Sequence, residues 1–125
     1  MSAASILIID DEKAVAGFFA DLFKLFDTPV DLVHNGADGL KKARRGNYKL
    51  IFLDHKLGDM TGVEVLQELK AEKPDANVVM ISAYLTDEVS NKLRKLGVRG
   101  ILNKPLEAEK ILTFARKYVS ERTFN

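Results

Sequence analysis

The chain has 125 residues, of which 46% are apolar and 30% are charged; its formal net charge is +1 and it contains no cysteine. These values suit one globular domain and exclude a disulfide scaffold and a thiolate metal site. No apolar run approaches the roughly 18 residues needed to cross a bilayer, and the first residues do not resemble a secretory leader. We therefore expect a single cytoplasmic domain over residues 1–125, without membrane insertion.

The small net charge hides an uneven distribution. Residues 1–85 carry 10 basic and 13 acidic side chains, whereas residues 86–125 carry 9 basic and 5 acidic ones. A basic final third can face an acidic partner or nucleic acid, but these charges do not alternate with aromatic residues as a nucleic-acid-binding strip requires. The distribution favours solvated helix faces, and we expect no direct contact with nucleic acid.

The chain alternates between short apolar runs and amphipathic segments. Periodicity predicts strands at 5–9, 30–34, 50–54, 77–82 and 100–103, and helices at 12–26, 37–45, 62–72, 87–96 and 107–122. Strands that alternate with helices form a parallel sheet with helices on both faces, a doubly wound α/β fold. Three strands (5–9, 50–54 and 77–82) are apolar throughout and should be central, whereas VDLVH (30–34) keeps polar positions and should lie at an edge.

The phenylalanine and histidine side chains are expected to be structural. The first helix carries four phenylalanines at helical spacing, all expected in the core: Phe18, Phe19, Phe23 and Phe26. We expect His34 at the surface, and alternation along the strand should point His55 away from Asp54.

Chemically active side chains follow four of the predicted strands. Asp10 and Asp11 follow the first strand, Asp54 and Ser82 end the third and fourth, and Lys104 follows the fifth. Each has a local explanation as a helix cap or turn residue, but the carboxyl ends of parallel strands meet at one edge, where such sheets bind ligands. Three carboxylates brought together there need a compensating cation. Oxygen ligands without His or Cys favour Mg²⁺, which together with Lys104 would leave positive charge for a phosphate.

This set resembles the receiver domain of bacterial response regulators. Asp10-Asp11, Asp54, Ser82-Ala83 and Lys104-Pro105 stand at strand ends in the order of that family; the spacing from Asp54 to Gly62 and the segment NGADGL (35–40) are also similar to it. The resemblance covers nearly the whole chain and implies the five-stranded (βα)5 fold with strand order 2-1-3-4-5. It also implies a response regulator that accepts a phosphoryl group in a two-component or phosphorelay pathway and thereby switches the binding of a partner.

The resemblance implies roles in phosphate chemistry for five positions. Asp54 would be the phosphoacceptor. Ser82, Ala83 and Lys104 would bind the phosphoryl group. The peptide bond before Pro105 would be cis and would aim the Lys104 amine into the site. The domain would catalyse its own phosphorylation and a slow dephosphorylation, without being a turnover enzyme.

The same resemblance implies a cofactor and partners. Mg²⁺, with Mn²⁺ as a substitute, would be held by Asp10, Asp11, Asp54 and the backbone carbonyl of Lys56. The phosphoryl donor would be a histidine kinase or a histidine phosphotransfer protein. A downstream protein would bind the face formed by the fourth helix, the fifth strand and the fifth helix.

Rim and switch positions depart from the usual pattern of the family. Gly58 replaces a common proline, so the loop after Asp54 should be looser. Lys56 and Tyr84 occupy positions that would gate the attacking water, and we expect them to slow self-dephosphorylation. Ile101 stands where the family usually has an aromatic ring, and its short, stiff side chain should weaken coupling to the partner face.

Two other functions compete with this one. A degenerate receiver could bind a partner without phosphorylation; Gly58 and Ile101 favour that alternative, and the intact acidic set opposes it. An enzyme is the other possibility, either a flavodoxin relative or an aspartyl-phosphate hydrolase. The segment IDDEKA (9–14) offers neither the Ser/Thr/Gly-rich phosphate loop of the former nor the Asp-x-Asp pattern of the latter.

Overall fold

The computed structural model describes residues 4–125, so the first three positions of the expected domain lie outside the described residues. Five strands alternate with five helices along this part of the chain, as predicted. In chain order the elements are β1 (Ile6–Ile9), α1 (Lys13–Lys24), β2 (Val30–Val33), α2 (Gly36–Arg45), β3 (Leu50–Asp54), α3 (Gly62–Glu72), β4 (Val78–Ser82), α4 (Asp87–Lys95), β5 (Gly100–Asn103) and α5 (Ala108–Tyr118). Within residues 4–125, no helix has the length and apolarity to span a membrane.

The five strands form one parallel sheet in the order β2-β1-β3-β4-β5, which confirms the predicted fold class and strand order. The register pairs Ile9 of β1 with Leu53 of β3, which places Asp10 level with Asp54. Ser82 ends the neighbouring strand β4. The side chains expected to be functional therefore leave the sheet at the same carboxyl edge, where doubly wound folds bind ligands.

The sheet separates two core layers. Strands β1, β3 and β4 are buried along their whole length, and β2 is half-buried at the edge, as its polar positions predicted. Successive residues of β1 alternate between the layers: Ile6 and Ile8 pack with α1 and α5, and Leu7 and Ile9 pack with α2, α3 and α4. Because both faces are covered, polar chemistry is confined to the edges of the sheet.

Aromatic rings fill the layer beneath α1. The Phe19 ring centroid lies 4.9 Å from that of Phe52 and 6.5 Å from that of Phe23. The prediction for Phe18 is wrong, because this side chain is 40% exposed. The buried stripe of α1 is centred on Ala16, Phe19 and Phe23, and Phe18 lies at its margin.

The last residues of the chain fold back onto the same layer. Helix α5 ends at Tyr118, so the prediction that this helix reaches residue 122 is wrong. Phe124 is buried, with its ring centroid 5.7 Å from that of Phe23 and 5.4 Å from that of half-buried Phe26. Arg116 Nε donates a hydrogen bond to the Phe124 carbonyl at 2.7 Å. Leaving the helix early brings this ring into the core.

Side-chain caps begin three of the five helices. Asn35, Thr61 and Thr86 each accept a hydrogen bond from a backbone N–H in the first turn of α2, α3 and α4. At α3 the Glu64 side chain also bonds back to the Thr61 backbone, which completes a capping box. Of the elements other than α5, β3, α3 and β5 have the predicted limits, and the remaining limits differ from the prediction by at most two residues.

Candidate functional site

Four carboxylates converge at the carboxyl edge of the sheet. Asp10, Asp11, Glu12 and Asp54 each offer one oxygen, and these oxygens lie within 4.8 Å of one another. Asp10 and Asp54 are buried, at 0% and 2% exposure, whereas Asp11 and Glu12 are exposed. Glu12 is the member that sequence reasoning missed; its only signal was an acidic side chain directly after two aspartates at a strand end.

The Asp10 carboxylate is only partly satisfied. Its Oδ1 accepts a hydrogen bond from the Glu12 backbone N–H at 2.8 Å. Its Oδ2 is buried and has no hydrogen-bond partner among the described residues, although Lys104 Nζ lies 3.8 Å away. A buried carboxylate oxygen without a hydrogen bond is costly, and this one lies in the cluster, where a cation would stabilise it.

Lys104 supplies positive charge to the cluster. It follows β5, where its backbone N–H donates to the Ser82 carbonyl at 2.8 Å, and its peptide bond to Pro105 is cis. Its Nζ lies 2.6 Å from Glu12 Oε1 and 3.4 Å from Asp54 Oδ2. One ammonium therefore sits among three carboxylates, and Glu12 holds it most closely.

Burial dominates the electrostatics of these groups. It raises the pKa of Asp10 from 3.8 to about 6; the Glu12 backbone N–H opposes this rise, the Asp54 charge adds to it and Lys104 opposes it. Burial also raises the pKa of Asp54, against the lowering effect of Lys104. Burial alone would lower the pKa of Lys104, but its hydrogen bond to Glu12 and the nearby aspartates outweigh burial and raise it. One lysine does not offset the carboxylates, so the site favours a further cation.

The hydroxyl of Ser82 is engaged by its own loop. Its Oγ donates to the Tyr84 carbonyl at 2.9 Å and accepts from the Tyr84 backbone N–H at 3.1 Å. Ala83 is exposed, and the Tyr84 side chain is 77% exposed at the rim. A cavity of about 270 Å³ opens beside Asp54 and is lined by Ser82, Ala83, Tyr84 and Lys104 among others. Ser82 therefore faces a space beside Asp54, and a contact with a group bound there requires it to release Tyr84.

The loop after β3 is anchored at both ends. The Lys56 backbone N–H donates to Asp54 Oδ1 at 3.4 Å, and the backbone of Lys56 forms an isolated antiparallel β-bridge with that of Thr61. Asp59 accepts hydrogen bonds from the backbone N–H groups of Gly36 and Ala37 at 2.7 and 2.9 Å, which ties the loop to the start of α2 and lowers the pKa of Asp59. These bonds restrain the segment around Gly58, and the extra freedom expected from that glycine stays a prediction.

Ile101 borders an open space on the neighbouring face. It is half-buried in β5 and packs against the layer that contains α4. A cavity of about 470 Å³ lies beside it, lined also by Tyr84, Arg94 and Asn103. The isoleucine at the position where the family usually has a switching ring is therefore small relative to the space next to it.

The two histidines differ in environment. His34 is exposed, as predicted, with Nδ1 3.1 Å from the Asp10 carbonyl. His55 is half-buried and contributes to the lining of the cavity beside Asp54. Its Nδ1 is buried and unpartnered within residues 4–125, and burial lowers its pKa. A neutral, partly buried imidazole fits a structural position.

Comparison with known sequences identifies one family. A family model described as "Response regulator receiver domain" matches residues 6–116. The uncharacterized transcriptional regulatory protein YkoG of Bacillus subtilis is 31% identical over 118 residues, covering 93% of this chain and 51% of that protein. The regulatory protein LuxO of Vibrio cholerae is 29% identical over 104 residues, covering 83% of this chain and 23% of LuxO. The chain thus spans about half or less of the length of these curated relatives.

Solved structures show the same fold. The CheY-like response regulator receiver domain protein of Methanospirillum hungatei has a TM-score of 0.87 and 25% identity, with 97% of each chain covered. The response regulator TrrA of Thermotoga maritima, solved in complex with Mg²⁺-BeF, has a TM-score of 0.81 and 25% identity, covering 93% of this chain and 99% of that one. The matched residues and the shared fold show that the chain belongs to the response regulator receiver domain family, whose members accept a phosphoryl group in two-component signalling.

Proposed function

We propose that Asp54 is the residue phosphorylated in this domain. The observation that carries the proposal is the position of its carboxylate: buried at the end of a central strand, 3.4 Å from the ammonium of Lys104 and grouped with three other carboxylates. The donor is a histidine kinase or a histidine phosphotransfer protein. The domain promotes its own phosphorylation and a slow dephosphorylation, and it is not a turnover enzyme.

The transfer is a nucleophilic displacement at phosphorus. An Asp54 carboxylate oxygen attacks phosphorus and forms a P–O bond while the P–N bond of the donor phosphohistidine breaks. The leaving imidazole keeps the bonding electron pair, and a proton on its other nitrogen makes it a neutral leaving group. Lys104 stabilises negative charge on the phosphoryl oxygens. Ser82, after releasing Tyr84, donates to one of these oxygens, and the loop at Ala83 lines the same space.

The donor set of the acidic cluster fits Mg²⁺. The cluster offers only oxygen atoms, which suit a hard divalent cation, and Asp10 Oδ2 is a buried oxygen without a hydrogen bond in the described chain. Asp10, Asp11, Asp54 and the backbone carbonyl of Lys56 would hold the ion, and Mn²⁺ would substitute for it. When bound, Mg²⁺ supplies positive charge that neutralises the phosphoryl oxygens.

The output of the domain is a change in partner binding on the face formed by α4, β5 and α5. Basic side chains on and beside α4 suit an acidic partner surface: Lys92, Lys95 and Arg99. Because Ile101 replaces a ring that could fill the adjacent space, we expect the coupling of Asp54 to this face to be weak and the loop at Tyr84 to carry more of it. Membership of the family supports a cytoplasmic location.

Phosphorylation in vitro tests the proposal. Incubation with acetyl phosphate and Mg²⁺ should add one phosphoryl group by intact mass, and omission of Mg²⁺ should prevent it. Asp54→Ala should remove the modification, whereas Asp75→Ala, at an exposed aspartate on another loop, should retain it. Modification at another residue, or none with a competent donor, would refute the assignment and favour a binding module that works without phosphorylation.

A further inference from the structure

The closest partner of Lys104 is a residue without an assigned role. Lys104 Nζ lies 2.6 Å from Glu12 Oε1, compared with 3.4 Å to Asp54 and 3.8 Å to Asp10. A charge-assisted hydrogen bond of 2.6 Å is short, whereas 3.4 Å is long for such a bond. In the unphosphorylated protein the ammonium is therefore bound chiefly to Glu12, beside the group it would serve.

The position of Glu12 at the start of α1 does not by itself explain why this residue is a glutamate or why its side chain extends toward Lys104. Glu12 is the N-cap residue of α1, but in the described chain its carboxylate makes no capping hydrogen bond. Its backbone N–H is fixed by Asp10 Oδ1 at 2.8 Å, and the side chain extends from this anchor to Lys104. An N-cap favours Ser, Thr, Asp or Asn, so a glutamate here is a poor choice for the helix. Its contact with Lys104 is the interaction that the structure assigns to it.

A phosphoryl group on Asp54 would compete for the same ammonium. Phosphate groups carry about −1.5 to −2 charges near pH 7, more than a carboxylate, and Lys104 is the nearest cation to Asp54. The Lys104 ammonium has three protons, but its nitrogen cannot approach Glu12 and a phosphoryl group on Asp54 at the same time. A shift of this nitrogen toward the phosphoryl oxygens therefore lengthens its hydrogen bond to Glu12. The Glu12 carboxylate thus lowers the gain that Lys104 can give to the phosphorylated state.

We propose that Glu12 is a positioning residue that holds Lys104 in the unphosphorylated protein and competes with the phosphoryl group for it. The inference rests on the proposed function of Asp54 and adds a residue that sets how favourable phosphorylation is. Loss of this competition strengthens binding of a phosphoryl group without creating any new contact. Glu12 also lies in the carboxylate cluster, so its effect on the cation must be measured separately.

Beryllofluoride, a phosphoryl mimic, tests the competition. At saturating Mg²⁺, Glu12→Gln should bind beryllofluoride up to about fivefold more tightly than the wild type, the upper end of the range expected when one ion pair near the surface is lost. Glu72→Gln is the matched control, because Glu72 forms an exposed ion pair with Arg44 away from the site. Affinity for Mg²⁺ alone should stay equal or fall in Glu12→Gln. Equal beryllofluoride affinity in Glu12→Gln and wild type would overturn the inference.

A double-mutant cycle separates competition from simple repulsion. In a Lys104→Met background the Glu12→Gln effect should disappear, since no ammonium remains to be shared. An undiminished effect there would show that Glu12 repels the phosphoryl group directly and would overturn the role assigned to Lys104. If beryllofluoride binds Lys104→Met too weakly to titrate, initial rates of phosphorylation by acetyl phosphate give the same comparison. Failure of the wild type itself to bind beryllofluoride with Mg²⁺ would remove the proposed function, and this inference with it.

Discussion

The charged side chains at the two edges of the sheet differ in how fully their hydrogen-bonding groups are satisfied. At the amino edge, Lys73 Nζ donates to the carbonyls of Ala43 and Gly46 at 2.8 and 2.7 Å. Lys70 Nζ likewise donates to the carbonyls of Pro74 and Ala76. Each ammonium there ties a loop together by donating hydrogen bonds to two backbone carbonyl oxygens.

At the carboxyl edge the charges are crowded and incompletely satisfied. Asp10 Oδ2 has no hydrogen bond within the described residues, and Lys104 is shared among three carboxylates. Such an arrangement costs stability in the absence of a cation, and the strong packing of the sheet maintains it. The comparison indicates that the amino edge serves the fold and that the carboxyl edge serves binding.

The largest effect on stability is expected far from the site. Phe124→Ala removes a buried ring that packs against Phe23 and Phe26, and we expect the free energy of unfolding to fall by about 3 kcal/mol. Mg²⁺ affinity of the folded protein should not change. Phe18→Ala, at a ring that is 40% exposed, should cost under about 1 kcal/mol. Urea unfolding measures the free energy of unfolding of both variants. Small and equal decreases in the two variants would show that the terminal segment does not belong to the core.

The carboxyl edge should respond to pH in metal-free protein. Because burial raises the pKa of Asp10 to about 6, the folded state binds this proton more tightly than the unfolded chain does. This contribution is fully present below pH 4 and is lost as the pH rises to about 6. Asp10→Asn keeps the acceptor for the Glu12 N–H and should gain on the order of 2 kcal/mol over the wild type at pH 7 with EDTA.

The matched control for this pH effect is Asp75→Asn, an exposed aspartate at the amino edge. Its stability should follow that of the wild type at every pH. Unfolding by urea between pH 4 and pH 7 gives the three curves. A constant difference between Asp10→Asn and the wild type across this range would show that burial of Asp10 does not set the pH dependence.

A smaller effect is expected on the lifetime of the phosphorylated domain. Tyr84 and Lys56 are exposed at the rim of the cavity beside Asp54, and under the proposed function we expect them to obstruct the water that would attack the acyl phosphate. The double variant Lys56→Asn, Tyr84→Ala should lose its phosphoryl group severalfold faster, as followed by intact mass over time. Lys41→Asn, on the surface of α2, is the control and should decay like the wild type. Unchanged decay in the double variant would remove the gating role.

The sequence predicted the strands and the members of the site that end them. A short run of apolar residues between amphipathic helices is readily assigned as a central strand of a parallel sheet. The residues directly after such strands lie at the carboxyl edge of the sheet. Asp10, Asp54 and Lys104 could therefore be brought together from the order of elements alone. The edge position of β2 followed from its polar residues in the same way.

Contacts that depend on side-chain direction and loop shape could not be predicted. Glu12 bonds Lys104 across 92 positions of the chain, and Asp59 reaches the start of α2 only because two loops meet in space. The exposure of Phe18 depends on the rotation of α1 by a fraction of a turn, which the spacing of four phenylalanines leaves open. The return of Phe124 to the core depends on where α5 ends, and helical periodicity continues past that point.

The most direct test of the contrast between the edges is the amide NMR response to beryllofluoride and Mg²⁺. Large chemical-shift changes are expected at Asp54, Ser82 and Tyr84, because a bound phosphoryl mimic would draw the Ser82 hydroxyl away from the Tyr84 backbone. Small changes are expected at Lys70 and Lys73 and along residues 99–115 other than Lys104 and Pro105, which belong to the site itself, because Ile101 offers little coupling. Equally large changes at the amino edge or across residues 99–115 would contradict a response confined to the carboxyl edge.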